Sequence, residues 1–271
     1  MADTVLDDYA CEAAQIARDA GQVLRARFGQ PHDVRFKGTI DLVTEADRAA
    51  EDLIAERLRT VCPEHDLLCE EGSVGATIGA TYRWIVDPLD GTTNFAHGLP
   101  TFAVSIALED AGDPVVGVVY DPMRDELFVA RKGGGATLNG AAIHVSAVDQ
   151  LIASILVTGF SYDFARRADQ TEIWRDFLTR VQAIRQTGSA ALNLCYIAAG
   201  RLDGYWERGI SPWDVAAGAL MVTEAGGAVT DMRGGPFRSS DREILASNGR
   251  LHGRLLDVIA AHEVAIESSQ N

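Results

Sequence analysis

No apolar run in this chain approaches the length of a membrane span, and the first residues, Met1-Ala2-Asp3-Thr4-Val5-Leu6-Asp7-Asp8, hold neither the basic region nor the apolar core of a secretory leader. Basic residues are few: 24 Lys and Arg stand against 39 Asp and Glu, a formal net charge of −15, and they form no run that would track a nucleic-acid backbone. Direct nucleic-acid binding and membrane attachment are therefore disfavoured. Cysteine is limited to Cys11, Cys62, Cys69 and Cys195, without a Cys-x-x-Cys pair or a His-rich companion. That argues against a zinc site and a disulfide framework and predicts free thiols in a reducing cytoplasm. Repeats, low-complexity blocks and long linkers are lacking too.

At 271 residues, with 47% hydrophobic and 23% charged residues, the chain can bury a large core as one domain or as two closely packed halves. Its polar end, residues 266–271, is expected to fray. Val5, Tyr9, Ala13, Ile16, Ala20, Val23 and Leu24 recur at helical spacing, with Thr4 as cap and Phe28-Gly29 as terminator. A second helix runs from Thr44 through Ala46, Ala50, Leu53, Ile54 and Leu58 to Cys62-Pro63. Short apolar stretches at 67–70, 82–87, 102–108, 115–120 and 126–130 predict strands, and Asn139-Gly140 a hairpin turn. Beyond it, 152–157, 203–207, 228–230 and 244–246 read as strands, and 171–181, 189–199, 213–225 and 253–262 as helices. Helices first, strands in the middle and alternation at the end predict a layered α+β arrangement rather than a simple doubly wound sheet.

Asp87-Pro88-Leu89-Asp90-Gly91-Thr92-Thr93-Asn94-Phe95 carries the chemistry. Residues 82–86 read as a buried strand, so Asp87 falls at its end, where Pro88 forbids simple continuation and puts both carboxylates on a bend. Gly91 lets the backbone approach a ligand, and Thr92-Thr93-Asn94 can open a helical turn whose N–H groups favour an anion. Cation ligands thus stand beside an anion cradle. An Asp-rich turn would explain a lone Asp-Gly. It does not explain Glu70-Glu71-Gly72 after Leu67-Leu68, or Trp213-Asp214 before an Ala-rich helix.

Together with Asp41-Leu42-Val43-Thr44 and Asp47, and with Asp214 continuing to Thr223-Glu224-Ala225-Gly226-Gly227, this ordered set resembles the inositol monophosphatase family, Mg²⁺-dependent and lithium-sensitive sugar phosphatases. The resemblance runs from about residue 37 to 230. It implies a five-layer αβαβα sandwich over residues 1–271, with an N-terminal half 1–150, a C-terminal half 151–265, and the site between them.

An all-oxygen ligand set without His or Cys favours a hard ion, and Mg²⁺ suits phosphate oxygens. Asp87-x-x-Asp90 lacks the repeated acidic positions and terminal Glu of a calcium loop. The resemblance implies two or three Mg²⁺ ions on Glu70, Asp87, the Leu89 carbonyl, Asp90 and Asp214. Glu70 and Thr92 would position the attacking water, and Asp47 would orient the Thr92 hydroxyl. As a reading of the residues alone, Thr44-x-x-Asp47 is equally a helix-capping pair. Substrate contacts implied are Asp90, the N–H groups of Gly91, Thr92 and Thr93, the backbone of Ser189 and Ala190, and Glu207 toward substrate hydroxyls. Lys37 is a further candidate beside a surface-lysine reading, and Trp213, Asn94 and His97 are assigned to packing and turn structure.

The implied activity is hydrolysis of inositol 1-phosphate to myo-inositol and phosphate by a cytoplasmic homodimer. Fructose 1,6-bisphosphate or histidinol phosphate is the alternative substrate for the same chemistry, and a regulatory or binding scaffold the alternative outside enzymes.

Overall fold

Alternate side chains of the strand Tyr82–Asp90 (β4) enter different cores: Trp84 and Val86 pack on one face, Ile85 on the other. A strand that is apolar on both faces demands a layer on each side. In the computed structural model, which describes residues 2–30, 34–36, 42–72, 80–161 and 164–269, that demand produces five layers. The helices Ala2–Arg27 (α1) and Glu45–Val61 (α2) form the first. The second is a seven-stranded sheet in the order Asp66–Cys69 (β3), β4, Ala103–Asp110 (β5), Asp113–Asp121 (β6), Glu126–Arg131 (β7), Gly135–Leu138 (β8) and Ala141–Ala142 (β9). Its pairs are antiparallel except β3 with β4. The short strands Val34–Phe36 (β1) and Leu42–Thr44 (β2) pair separately.

The middle layer is the helix pair Ala190–Ala198 (α5) and Pro212–Glu224 (α6). Residues Val215 to Val222 of α6 are all buried, as befits a helix covered all round. The fourth layer is a five-stranded sheet ordered Ala183–Arg185 (β11), Ile155–Thr158 (β10), Gly204–Arg208 (β12), Glu243–Ser247 (β14) and Ala228–Thr230 (β13). Alternation on β12 sends Tyr205 toward α5 and α6 and Trp206 outward onto Phe177, ring centroids 4.7 Å apart. Phe164–Leu178 (α4) and His252–Ser269 (α7) close the fifth layer around Ile173, Phe177, Leu255 and Ile259.

The five-layer expectation is met; the seven-stranded sheet takes its strands from residues 66–142 and the five-stranded sheet from residues 155–247. Several boundaries move. Pro88, expected to end the strand, lies inside β4, which continues to Asp90 through a register shift between Asp87 and Asp90. Pro88 is tolerated because β3 pairs only as far as Val86, so no ladder bond from that side needs its missing N–H. The first helix begins at Ala2 rather than after a Thr4 cap, and α4 begins at Phe164 rather than near 171. Within the expected tail, α7 continues through Ser269, and residues 270–271 lie outside the described residues. Residues 151–153 form a 3₁₀ turn instead of the start of a strand, and β11 has no counterpart among the expected elements. Asn139 and Gly140 both have positive φ (50° and 81°) between β8 and β9, the hairpin turn expected.

Small residues set the spacing of the middle layer. Ala103, Ser105, Ala107 and Gly117 face α6, and a Cβ on Gly117 would stand 2.7 Å from the Ala217 carbonyl oxygen. The obstacle is backbone, so relief requires the helix to move off the sheet. Gly117→Ala is therefore expected to destabilise the protein by about 1–3 kcal/mol, read as a lower thermal unfolding midpoint.

Candidate active site

Asp87 and Asp90 leave β4 at its bulge, and the chain then turns into the short helix Thr92–Ala96 (α3) through Gly91 at φ 103°. Two constraints make that position a glycine. Its φ is left-handed, and a Cβ would stand 3.0 Å from the Thr101 carbonyl and 3.2 Å from that of Gly188. Beneath the turn, Phe95 packs on Phe28 and Phe102.

From the other half, Ser211 and Asp214 form a capping box with Pro212 in the first turn, and the Ser211 N–H donates to Asp214 Oδ2 at 2.8 Å. The cap puts a carboxylate at the start of α6, and α6 points it at β4. Ligand oxygens of Asp87, Asp90 and Asp214 come within 4.8 Å of one another. They line a cavity of about 480 Å³ together with Glu70, Leu89, Gly91, Thr92, Thr93, Ser189, Ala190 and Glu207. Glu70, expected to complete the ligand set, stands outside the trio but hydrogen-bonds with Asp87.

Asp47 makes contacts on both sides. Its Oδ2 accepts from the Thr44 N–H at 2.8 Å in a capping box, while Oδ1 lies 3.0 Å from the Thr92 hydroxyl. Thr92 Oγ1 also lies 3.1 Å from the Leu89 carbonyl oxygen. Ser189 and Ala190 also meet Asp90. The Ser189 hydroxyl donates to Asp90 Oδ2 at 2.6 Å, the Ala191 N–H to the same oxygen at 2.7 Å, and the Ala190 N–H to Oδ1 at 3.3 Å. Besides lining the cavity, these groups hold Asp90, because they are the N-terminal donors of α5 and a carboxylate is their natural partner.

Asn94 is structural, as expected: its amide donates to the carbonyls of Thr101 at 2.7 Å and Thr187 at 2.8 Å, tying the turn to the segment before α5. Trp213 packs against the middle core, and His97 is exposed at the end of α3. Lys37 and Asp41 lie outside the described residues. Several lining residues escaped the sequence, among them Gly159, Phe160 and Ser161 after β10, and Arg167 on α4, whose Nε donates to the Ser161 carbonyl at 2.7 Å. No local motif marks them. Tyr205, whose hydroxyl donates to Glu207 Oε2 at 2.6 Å, could have been found from its two-residue spacing on a strand.

Two ionised carboxylates about 4 Å apart repel by roughly 4 kcal/mol at an effective dielectric of about 20. Burial above all, then the charges of Glu70, Asp90 and Asp214, holds Asp87 well above the ordinary carboxylate range. Burial, Asp90 and Glu70 do the same to Asp214, against the Ser211 N–H. Burial raises Asp90 to about 6, opposed by Ser189 and the two N–H groups of α5. A converging, buried, all-oxygen set of this kind fits a hard divalent cation, which would replace the protons.

A model of the inositol monophosphatase family matches residues 6–264. The chain is 46% identical to an inositol-1-monophosphatase of Synechocystis sp., over 92% of this chain and 88% of the relative. It is 44% identical to a Salmonella typhimurium protein named Nus factor SuhB, over 88% and 91%. The solved inositol monophosphatase of Anabaena sp. has a TM-score of 0.86 at 42% identity, covering 94% of this chain and 96% of its own. The extragenic suppressor protein SuhB of Bartonella henselae has a TM-score of 0.88 at 42% identity, covering 92% and 96%.

A carboxyl with a raised folded-state pKa binds more protons in the native than in the unfolded state, so its contribution to stability is complete below the unfolded pKa and is lost as pH rises through the folded one. For the metal-free protein, the contribution of Asp87, Asp90 and Asp214 is thus present at pH 4 and disappears as pH climbs through about 6 and above. Thermal midpoints measured with chelator should fall from pH 5 to pH 8. Added Mg²⁺ should raise the midpoint, and raise it more at pH 8 than at pH 5.

Proposed function

The chain belongs to the inositol monophosphatase family and is a phosphoric monoester hydrolase, and on that basis we propose that it hydrolyses inositol 1-phosphate to myo-inositol and phosphate at the Asp87, Asp90 and Asp214 cluster. The convergence of Asp214 from the C-terminal half on two carboxylates of β4 carries this reading. Glu70, Asp87, the Leu89 carbonyl, Asp90 and Asp214 would hold two or three Mg²⁺ ions. Bound there, Mg²⁺ supplies Lewis acidity, lowers the pKa of water toward neutrality and offsets charge on the phosphate and the departing alkoxide. Lithium inhibition, a homodimer and a cytoplasmic location belong to the same proposal.

The chain's own groups orient the reaction. Thr92 has one hydroxyl proton and two acceptors within reach, and the Asp47 carboxylate is the stronger. Donation to Asp47 turns the Thr92 oxygen into an acceptor for the attacking water. Glu70, hydrogen-bonded with Asp87, would accept the second proton contact from that water. The N–H groups of Gly91, Thr92 and Thr93, at the start of α3, would hold phosphate oxygens as in-line displacement proceeds. Glu207 would accept from a hydroxyl of the leaving group.

Asp90→Asn should lower kcat by about 10²–10³-fold, the range for loss of one preorganised electrostatic group. An amide oxygen in the Oδ2 position still accepts from Ser189 and Ala191, and a repelling charge is removed. The metal-free thermal midpoint at pH 8 should therefore stay level or rise, and undiminished turnover would remove Asp90 from the metal set. Substrate choice is tested by phosphate release from inositol 1-phosphate, fructose 1,6-bisphosphate and histidinol phosphate, with Mg²⁺ and with chelator. Chelator-sensitive release led by inositol 1-phosphate is expected. Release led by another ester would replace the substrate, and none from any would favour the scaffold reading.

A further inference from the structure

Tyr205 and Glu207 stand two residues apart on β12, which puts both side chains on the face toward α5 and α6. The Tyr205 ring is fully buried, and its hydroxyl meets Glu207 Oε2 at 2.6 Å. The backbone of Gly159 also abuts this carboxylate. A Cβ there would lie 2.1 Å from Oε2 and 2.4 Å from Oε1, and the Gly159 N–H hydrogen-bonds the carboxylate.

The two walls of this clamp are fixed to each other. β10 and β12 pair in parallel with Thr158 opposite Trp206, and the Thr158 hydroxyl donates to the Trp206 carbonyl at 2.6 Å. Trp206 is held in turn by Phe177. An ionised carboxylate offers about four acceptor positions. The Tyr205 hydroxyl and the Gly159 N–H use some of them, which leaves others for a donor in the cavity that Glu207 lines.

We propose that Tyr205 is a positioning residue for substrate choice: with the Gly159 backbone it fixes the Glu207 carboxylate so that its remaining acceptor positions meet a hydroxyl of the polyol leaving group. This rests on the reading of Glu207 as the acceptor for that group. Burial pushes Glu207 up to about 7, the Tyr205 hydroxyl and the Gly159 N–H pull it down, and the Asp90 charge pushes it up. Asp214 also faces it across the cavity. Without the Tyr205 hydroxyl the group loses a donor to its charged form as well as its orientation. A held acceptor favours a leaving group that carries a hydroxyl, because one without it leaves the buried oxygen unpaired.

The test compares kcat/KM for inositol 1-phosphate with that for phenyl phosphate, whose leaving group brings no further hydroxyl, in the Mg²⁺-loaded enzyme. Tyr205→Phe should lower that ratio about tenfold, through a higher KM for inositol 1-phosphate with kcat held within about threefold. Gly159→Ala keeps Tyr205 but drives a Cβ into the carboxylate, and should lower the ratio at least as much. If Tyr205→Phe fails to fold by its thermal midpoint, Gly159→Ala alone decides. An equal fall for both substrates would overturn the proposal, since it would mark general damage to the site. Glu207→Gln separates the two levels. If it lowers the ratio while the other variants do not, the Glu207 reading stands and the clamp falls. If it leaves the ratio unchanged, the Glu207 reading fails and the clamp with it.

Discussion

Asp90 is held across the divide of the chain, by the hydroxyl of Ser189 and the first N–H groups of α5. The rest of the site depends on that attachment. It fixes one carboxylate of the cluster, joins the β4 bulge to the middle layer, and places the positive end of a helix where like charges accumulate. Asn94 repeats the attachment one turn later, with one amide bonded to carbonyls of both halves. The two halves thus meet at the site through directional polar contacts, beside the apolar contact of α6 with the seven-stranded sheet.

Close approach in the middle layer serves the same geometry. Asp214 can face Asp87 because α6 sits low on the sheet, over Gly117 and Ala107, and its capping box fixes where the carboxylate begins. The Ser105 hydroxyl donating to the Trp213 carbonyl at 3.2 Å pins the same end of α6 directly to β5. Packing at the centre of the sheet and ligand placement at its end are one structural problem. Stability is given up at the cluster itself, where buried carboxylates face one another, and is supplied by the apolar layers around them.

Much of this was legible because its determinants are local. The hairpin at Asn139-Gly140, the apolar strands and the helix start at Trp213-Asp214 each depend on a few neighbouring residues. The carboxylate trio was legible through motif order and family resemblance, since no spacing in one chain brings Asp214 to Asp87. What escaped depends on pairing between distant strands. Gly159 matters because β10 lies beside β12, and Arg167 because α4 starts above the loop after β10. The destination of the Ser189 and Ala190 donors escaped for a related reason. A helix N-terminus announces an anion, but whether the anion is a ligand or a side chain from the other half is a tertiary fact.

The division of the cluster between β4 and α6 also bears on how the protein comes into being. Synthesis proceeds from the N-terminus, so Asp87 and Asp90 leave the ribosome long before Asp214. Until α5 has formed, Asp90 lacks its donors, and until α6 has docked the cluster lacks its third carboxylate. A nascent chain therefore presents two neighbouring acids and no three-carboxylate cluster, and the assembled cluster certifies that both sheets and the helices between them have come together.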